Sequence, residues 1–180
     1  MRKYKITKES IEITHPITEK SVKLFRIKSE RDFTLINGKE VKKGDLGGWV
    51  EHENNLSQED LCWIYDNCMM FDNARRLDNS IGFENSRQSG NSRQSGNSRQ
   101  SGNSRQSGDS IQSGNSQQFE KSMQFGNSEQ SGSSEQSGNS EQSGNSWQYG
   151  KSKQYGESKQ SGNSRQYGSN EQFHYKTVWK

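Results

Sequence analysis

The stretch Ser86-Arg87-Gln88-Ser89-Gly90-Asn91-Ser92-Arg93-Gln94-Ser95-Gly96-Asn97 decides the fold. Its six-residue period extends well beyond these two copies. Gln recurs at every sixth position from Gln88 to Gln172, and Ser sits two residues before it in every hexad from Ser86 to Ser164. Three residues such as Ser86-Arg87-Gln88 suit a short strand with two side chains on one face and one on the other. Ser89-Gly90-Asn91 suits a corner, because Gly and Asn tolerate positive φ. Three such sides close a triangular coil. The run from Cys62 to Phe173 then makes about six coils and, at strand spacing, a rod of about 30 Å. The expected class is all-β, a parallel β-helix (a triangular β-solenoid) with a small N-terminal β cap.

The middle residue of each strand varies freely, as Arg87, Arg93, Ile111, Glu129, Trp147 and Lys153 show, and variable charge belongs in water. The inward pair is therefore Cys62 and Ile64, then Cys68 and Met70, Ala74 and Arg76, Ser80 and Gly82. From Ser86 and Gln88 onward it is Ser and Gln: Ser92 and Gln94, Ser98 and Gln100, and later Gln112, Gln130, Gln148 and Gln166. A buried amide without partners costs on the order of 1–3 kcal/mol, so these groups must satisfy one another. The expectation is an axial amide ladder, Gln94 over Gln112 over Gln130, with Ser hydroxyls or ordered water closing the gaps.

Composition limits the alternatives. Hydrophobic residues are 24% of the 180, and mean hydropathy is −1.33. An ordinary domain is nearly half apolar, so composition alone argues for disorder. The unbroken register argues against it. The net charge of +3 is too small to imply nucleic acid without a localised patch. Cys62 and Cys68 form neither a metal cluster nor a disulfide framework, which predicts a reducing, cytoplasmic setting. No run approaches the roughly 20 apolar residues of a membrane helix.

The chain divides into a cap over 1–61, the solenoid over 62–173 and a terminal strand over 174–180. In the cap, Lys20–Ile27 alternates with Val22, Leu24 and Arg26 on one face. Asn37-Gly38 predicts a tight turn between Phe33–Ile36 and Glu40–Lys42. Lys43-Gly44-Asp45-Leu46-Gly47-Gly48-Trp49-Val50 lacks the spacing of a phosphate loop, and its glycines predict a turn and close backbone approach.

Leu24-Phe25-Arg26-Ile27, the segment Lys42–Val50, Asn55-Leu56-Ser57-Gln58 and Cys62-Trp63-Ile64-Tyr65-Asp66-Asn67 together resemble bacterial and prophage hexapeptide-repeat proteins of the YdcK type, labelled transferases. The resemblance is good over residues 20–75 and persists in spacing beyond them. It implies a left-handed β-helix with a small β cap, and an acyltransferase ancestry. That family usually has Val or Ile where this chain has Gln, and Ala where it has Ser.

Aromatic residues at the corner after Gln, namely Phe119, Phe125, Tyr149, Tyr155, Tyr167 and Phe173, predict stacking at eighteen-residue spacing. Phe173, Tyr175, Val178 and Trp179 in the terminal segment predict an end-to-end homodimer contact. Arg87, Arg93, Arg99 and Arg105 form a positive band that could contact anions. Glu129, Glu135 and Glu141 form a negative band, and Lys153, Lys159 and Arg165 a second positive one. Opposite bands suit lateral self-association. His15, His52 and His174 all lie outside the uninterrupted hexads, where no insertion shapes a pocket for a general base. No catalytic, cofactor or metal residues are assigned. The expected role is a non-catalytic structural or interaction solenoid, phage- or prophage-associated. The alternatives are a degenerate acyltransferase and an anion or nucleic-acid binder using the Arg band. No membrane contact is expected, and the sequence identifies no protein partner.

Overall fold

A computed structural model describes residues 2–102 throughout, and beyond them the strand pairs up to His174 with parts of the corners between; past residue 148 only the course of the strands is described. It shows a β-solenoid of stacked parallel strands. The cap opens with β1 (Tyr4–Thr14) and β2 (Ser21–Ser29), an antiparallel pair with a register shift between Ile6 and Ser10. On β2 the predicted alternation holds. Leu24 is buried with Trp49 and Phe71, Val22 packs at the edge of that group, and Arg26 lies over the Trp49 ring at 4.8 Å. β3 (Phe33–Thr34) and β4 (Glu40–Val41) form the hairpin marked by Asn37-Gly38, where Gly38 takes φ +80°.

β5 (Leu46–Val50) joins the cap to the solenoid. It pairs antiparallel with β2 and parallel with β7 (Met69–Met70), so the cap extends one solenoid sheet. Gly48 makes this approach possible, since a Cβ there would lie 2.5 Å from the Cys68 carbonyl oxygen. β6 (Trp63–Ile64), β8 (Arg75–Arg76), β9 (Ile81–Gly82) and β10 (Arg87–Gln88) continue the six-residue step. Each strand pairs in parallel with the one eighteen residues on, as Arg87 does with Arg105 and Gln88 with Gln106. The first face thus stacks β7, β10, Arg105–Gln106, Met123–Gln124, Glu141–Gln142 and Lys159–Gln160. The second stacks β8, Arg93–Gln94, Ile111–Gln112, Glu129–Gln130, Trp147–Gln148 and Arg165–Gln166. The third runs from β6 and β9 through Arg99–Gln100 to Glu171–His174.

The inward frame is the predicted one. Cys62, Ile64, Cys68, Met70, Ala74, Arg76, Ser80, Ser86, Gln88, Ser92, Gln94, Ser98, Gln100, Gln112, Gln130 and Gln148 all have 0% exposure. Gln166 continues the column as a strand partner of Gln148. At the cap end the interior is apolar, built from Tyr4, Ile27, Val50, Leu56, Ile64 and Met70. Outward Trp63 and Ile81 are also buried, and the Phe33 ring of the cap hairpin packs edge-on against Trp63 at 5.5 Å.

The glutamines are hydrogen-bonded, but the bonds of the described rungs differ from the expected axial ladder. Gln94 and Gln112 do sit in register, as do Gln112 and Gln130. Except at Gln94, however, the Nε2 atoms from Gln88 to Gln136 donate across to the main chain of a neighbouring side. Gln100 Nε2 reaches Arg87 O at 3.0 Å, Gln112 reaches Arg99 O at 3.0 Å, and Gln130 reaches Gln117 O at 3.0 Å. Gln88 and Gln100 use both amide hydrogens on carbonyls, the second on Ser92 O and Ser104 O. The reason is geometric. Adjacent strands leave their outward-residue carbonyls beside the corner, within reach of a side chain as long as Gln. Axial amide pairs occur instead at the corners, where Asn73 Nδ2 donates to Asn91 Oδ1 at 3.0 Å and Asn79 Nδ2 to Asn97 Oδ1 at 3.1 Å. Positive φ at the corner falls on Gly90 (+66°) and its equivalents, which frees Asn to ladder.

Arg76 marks the boundary between the apolar and polar interiors. It is fully buried, and burial pushes its pKa down. Its Nη2 crosses the prism to Gln88 Oε1 at 3.4 Å and Gln100 Oε1 at 3.1 Å. The guanidinium occupies the room a side chain at position 82 would need, which accounts for Gly82 in a frame that otherwise takes Gln. Ser92 Oγ donates to Ser89 O at 2.7 Å, whereas Ser98 Oγ, Ser104 Oγ and the Gln94 amide have no protein partner among the described residues. These atoms are suited to the ordered water expected of a polar interior.

Tyr65 and Phe83, one turn apart, stack with their rings parallel within 6° at 5.4 Å. The stacking and interface residues Phe119, Phe125, Tyr149, Tyr167, Tyr175, Val178 and Trp179 lie outside the described residues. So do the side chains of Tyr155 and Phe173.

Candidate functional site

The eighteen-residue step separates the arginine band onto three faces. Arg87 and Arg105 are register partners on the first face, Arg93 pairs with Arg75 on the second, and Arg99 lies between Ile81 and Gln117 on the third. Arg87 and Arg105 therefore stand one strand spacing apart, about 4.8 Å. Burial lowers the Arg87 pKa, and the neighbouring Arg105 charge lowers it further. Among the described residues, neither guanidinium has a carboxylate within ion-pair distance.

These two arginines form the floor of a groove of about 230 Å³ whose walls are Pro16, Ile17, Phe71 and Ser89. Pro16 and Ile17 come from the β1–β2 turn, which overhangs the first face. His15 holds that turn. Its Nδ1 accepts from Ile17 N at 3.2 Å and Thr18 N at 3.0 Å, so the proton resides on Nε2, 3.0 Å from Asp72 Oδ2. The groove thus combines two cations with an apolar wall, a combination suited to an anion attached to a small apolar body. Arg87 and Arg105 were legible as candidates. Pro16, Ile17 and Phe71 were not, because their proximity depends on how far the hairpin leans over the face.

Chemistry elsewhere is limited. Both ring nitrogens of His15 are engaged in the turn. His52 lies 3.9 Å from Glu51 on the cap. His174 continues a strand, with its side chain outside the described residues. Cys62 and Cys68 are free and buried, and burial pushes both thiols up, away from the nucleophilic thiolate. Lys3 Nζ, 3.4 Å from Cys62 Sγ, also donates to the carbonyls of Asp60 at 2.7 Å and Cys62 at 2.9 Å, closing the apolar end of the prism. Among the described residues, no three His, Cys, Asp or Glu side chains gather as metal ligands. Among the described residues, no helix is long and apolar enough to cross a membrane.

The fold places the chain in the class of β-solenoids. No family model matches it. It is similar to the Escherichia coli (strain K12) protein named "Uncharacterized acetyltransferase YdcK", with 38% identity over 68 residues. That match covers 37% of this chain and 19% of the relative, so it spans about a fifth of that protein's length.

Proposed function

We propose that the chain is a non-catalytic interaction solenoid, a rigid rod that meets partners through the changing residues on its faces, in a reducing, cytoplasmic setting. One observation carries this reading. The inward Gln column is fully buried from Gln88 to Gln148, while the half-buried to exposed column beside it changes from Arg through Ile and Gln to Met between Arg87 and Met123. Such a rod keeps its inside constant and varies what it displays. The positive and negative bands favour contacts between copies of the rod, and the two free buried thiols support the reducing setting. The phage or prophage association rests on the family resemblance. The acyltransferase alternative draws on the name of the relative. Calorimetric titration with acetyl-CoA separates the two: no heat of binding up to millimolar ligand is expected, and a saturable isotherm overturns the non-catalytic reading.

The groove at Arg87 and Arg105 favours a second reading, recognition of a small organic anion. Phenyl phosphate is the probe, since it offers oxygens to two guanidiniums and a ring to Pro16 and Ile17. Under this reading Arg105→Ala weakens its binding about tenfold, the loss of one charge-assisted contact of about 1.4 kcal/mol. Equal affinity in the variant removes the groove from consideration. Nucleic acid fits less well, because Phe71, the aromatic residue in the groove, is only 1% exposed and offers no stacking platform.

A further inference from the structure

The register column of the second face that alternates with the buried Gln94, Gln112, Gln130 and Gln148 reads, rung by rung, Arg75, Arg93, Ile111, Glu129 and Trp147. Inverted on itself about Ile111, this series is self-complementary. Arg93 meets Glu129, Glu129 meets Arg93, Arg75 meets Trp147 at both ends, and Ile111 meets Ile111 at the centre. Arg75, Arg93 and Ile111 are exposed, and Ile111, at 39%, is one of the exposed large hydrophobic residues. The other faces are less available. The first is overhung by the β1–β2 turn, and the third has Trp63 and Ile81 buried beneath the cap.

We infer that two copies of this chain pair side by side and antiparallel through the second face, in the register centred on Ile111. This rests on the reading of the chain as an interaction solenoid and specifies the partner as a second copy. Neighbouring registers are worse: an antiparallel shift by one rung towards Arg75 keeps two Arg75–Glu129 pairs but sets the Arg93 charges against apolar Ile111. A shift by one rung towards Trp147 sets Arg75 against Arg165, and a parallel, in-register pair sets every charge against itself. A parallel pair offset by two rungs does match Arg93 with Glu129, but it leaves a free complementary end on each copy and so builds an open chain rather than a closed dimer. Five rungs of a two-residue strand cover only a few hundred Å² per copy, below the area of about 800 Å² per partner that stable complexes bury. The pair is therefore weak, and its charges are largely screened within about 3 Å at 1 M salt.

The test is sedimentation velocity of the full chain at low and high salt, with the wild type, Arg93→Glu and Glu129→Arg, each checked for folding by thermal melting. The expected result is a wild-type dimer at low salt that becomes monomeric at high salt. Each single variant is monomeric alone, because its homodimer places like charges together twice. An equimolar mixture of the two variants dimerises again. There the new carboxylate at position 93 of one copy faces the new guanidinium at position 129 of the other, while the native Glu129 and Arg93 face each other. A wild-type dimer that survives either charge reversal, as an end-to-end dimer through the terminal segment would, overturns this pairing and leaves the interaction solenoid standing. Open-ended polymers at low salt overturn the two-fold arrangement. A wild type that is monomeric in both salts overturns the pairing and lateral self-association together.

Discussion

Gly108→Val is expected to destabilise the solenoid by about 3 kcal/mol or more, read as a fall in the urea midpoint. Gly108 takes φ +71°, where an L side chain costs roughly 1–2 kcal/mol and a β-branched one more. A Cβ would also lie 2.9 Å from Gly126 N and 3.0 Å from Gly126 O, main-chain atoms of the next rung that move only if the rung moves. Gly108→Asp brings the same Cβ but is expected to cost less than valine, about 2 kcal/mol, because acidic residues already hold this corner elsewhere. Asp72 and Asp78 adopt φ +56° and +55°, and each accepts the amide hydrogen of the glycine one rung on, with Gly90 N and Gly96 N at 2.9 Å. An aspartate in place of Gly108 can accept from Gly126 in the same way, offsetting part of the strain. Equal losses for Val and Asp would mean that the corner acids contribute nothing.

Gln112→Ala is expected to cost about 3 kcal/mol and Gln112→Met about 1 kcal/mol, measured by the same denaturation. Gln112 has 0% exposure, and its amide bonds Arg99 O at 3.0 Å. Alanine opens a cavity between Gln94 and Gln130 that the rigid prism cannot close, and large-to-small changes of this size cost about 2–5 kcal/mol. Methionine fills most of that volume and loses mainly the hydrogen bond, about 1 kcal/mol net. A loss below about 0.5 kcal/mol for alanine, the size usual at surface positions, would place the amide in solvent and refute a buried polar core. A methionine variant as unstable as the alanine one would assign the stability to the hydrogen bond rather than to volume.

Much of this architecture was legible because the period of six is so strict. It separates the residues that must stay from those free to change, and so distinguishes Gln88 inside from Arg87 outside. The cap hairpin was legible from Asn37-Gly38 for a local reason, the positive φ that glycine supplies. The destination of the glutamine amides was not. Stacking in register invited an axial ladder, but the bond each amide makes depends on side-chain reach across the corner, which periodicity alone does not contain. The ladder was assigned to Gln, while the described axial amide pairs belong to Asn, at Asn67–Asn85, Asn73–Asn91 and Asn79–Asn97. At the groove, the eighteen-residue step already brings Arg87 beside Arg105. The wall of Pro16 and Ile17 depends on the lean of a hairpin whose register shifts between Ile6 and Ser10.

The cross-corner bond of a described glutamine amide has its acceptor thirteen residues earlier in the chain, as Gln136 to Met123 O and Gln124 to Ile111 O illustrate. Synthesis runs from the N-terminus, so a newly made glutamine finds its carbonyl already in place on the turn laid down before it. The finished turn acts as a template for the one being added, and only the second amide hydrogen, as from Gln88 to Ser92 O and from Gln100 to Ser104 O, waits for residues still to come. An apolar seed around Ile64 and Met70 followed by a self-copying polar wall is a route by which so hydrophilic a chain reaches one ordered form without first collapsing around an oily centre.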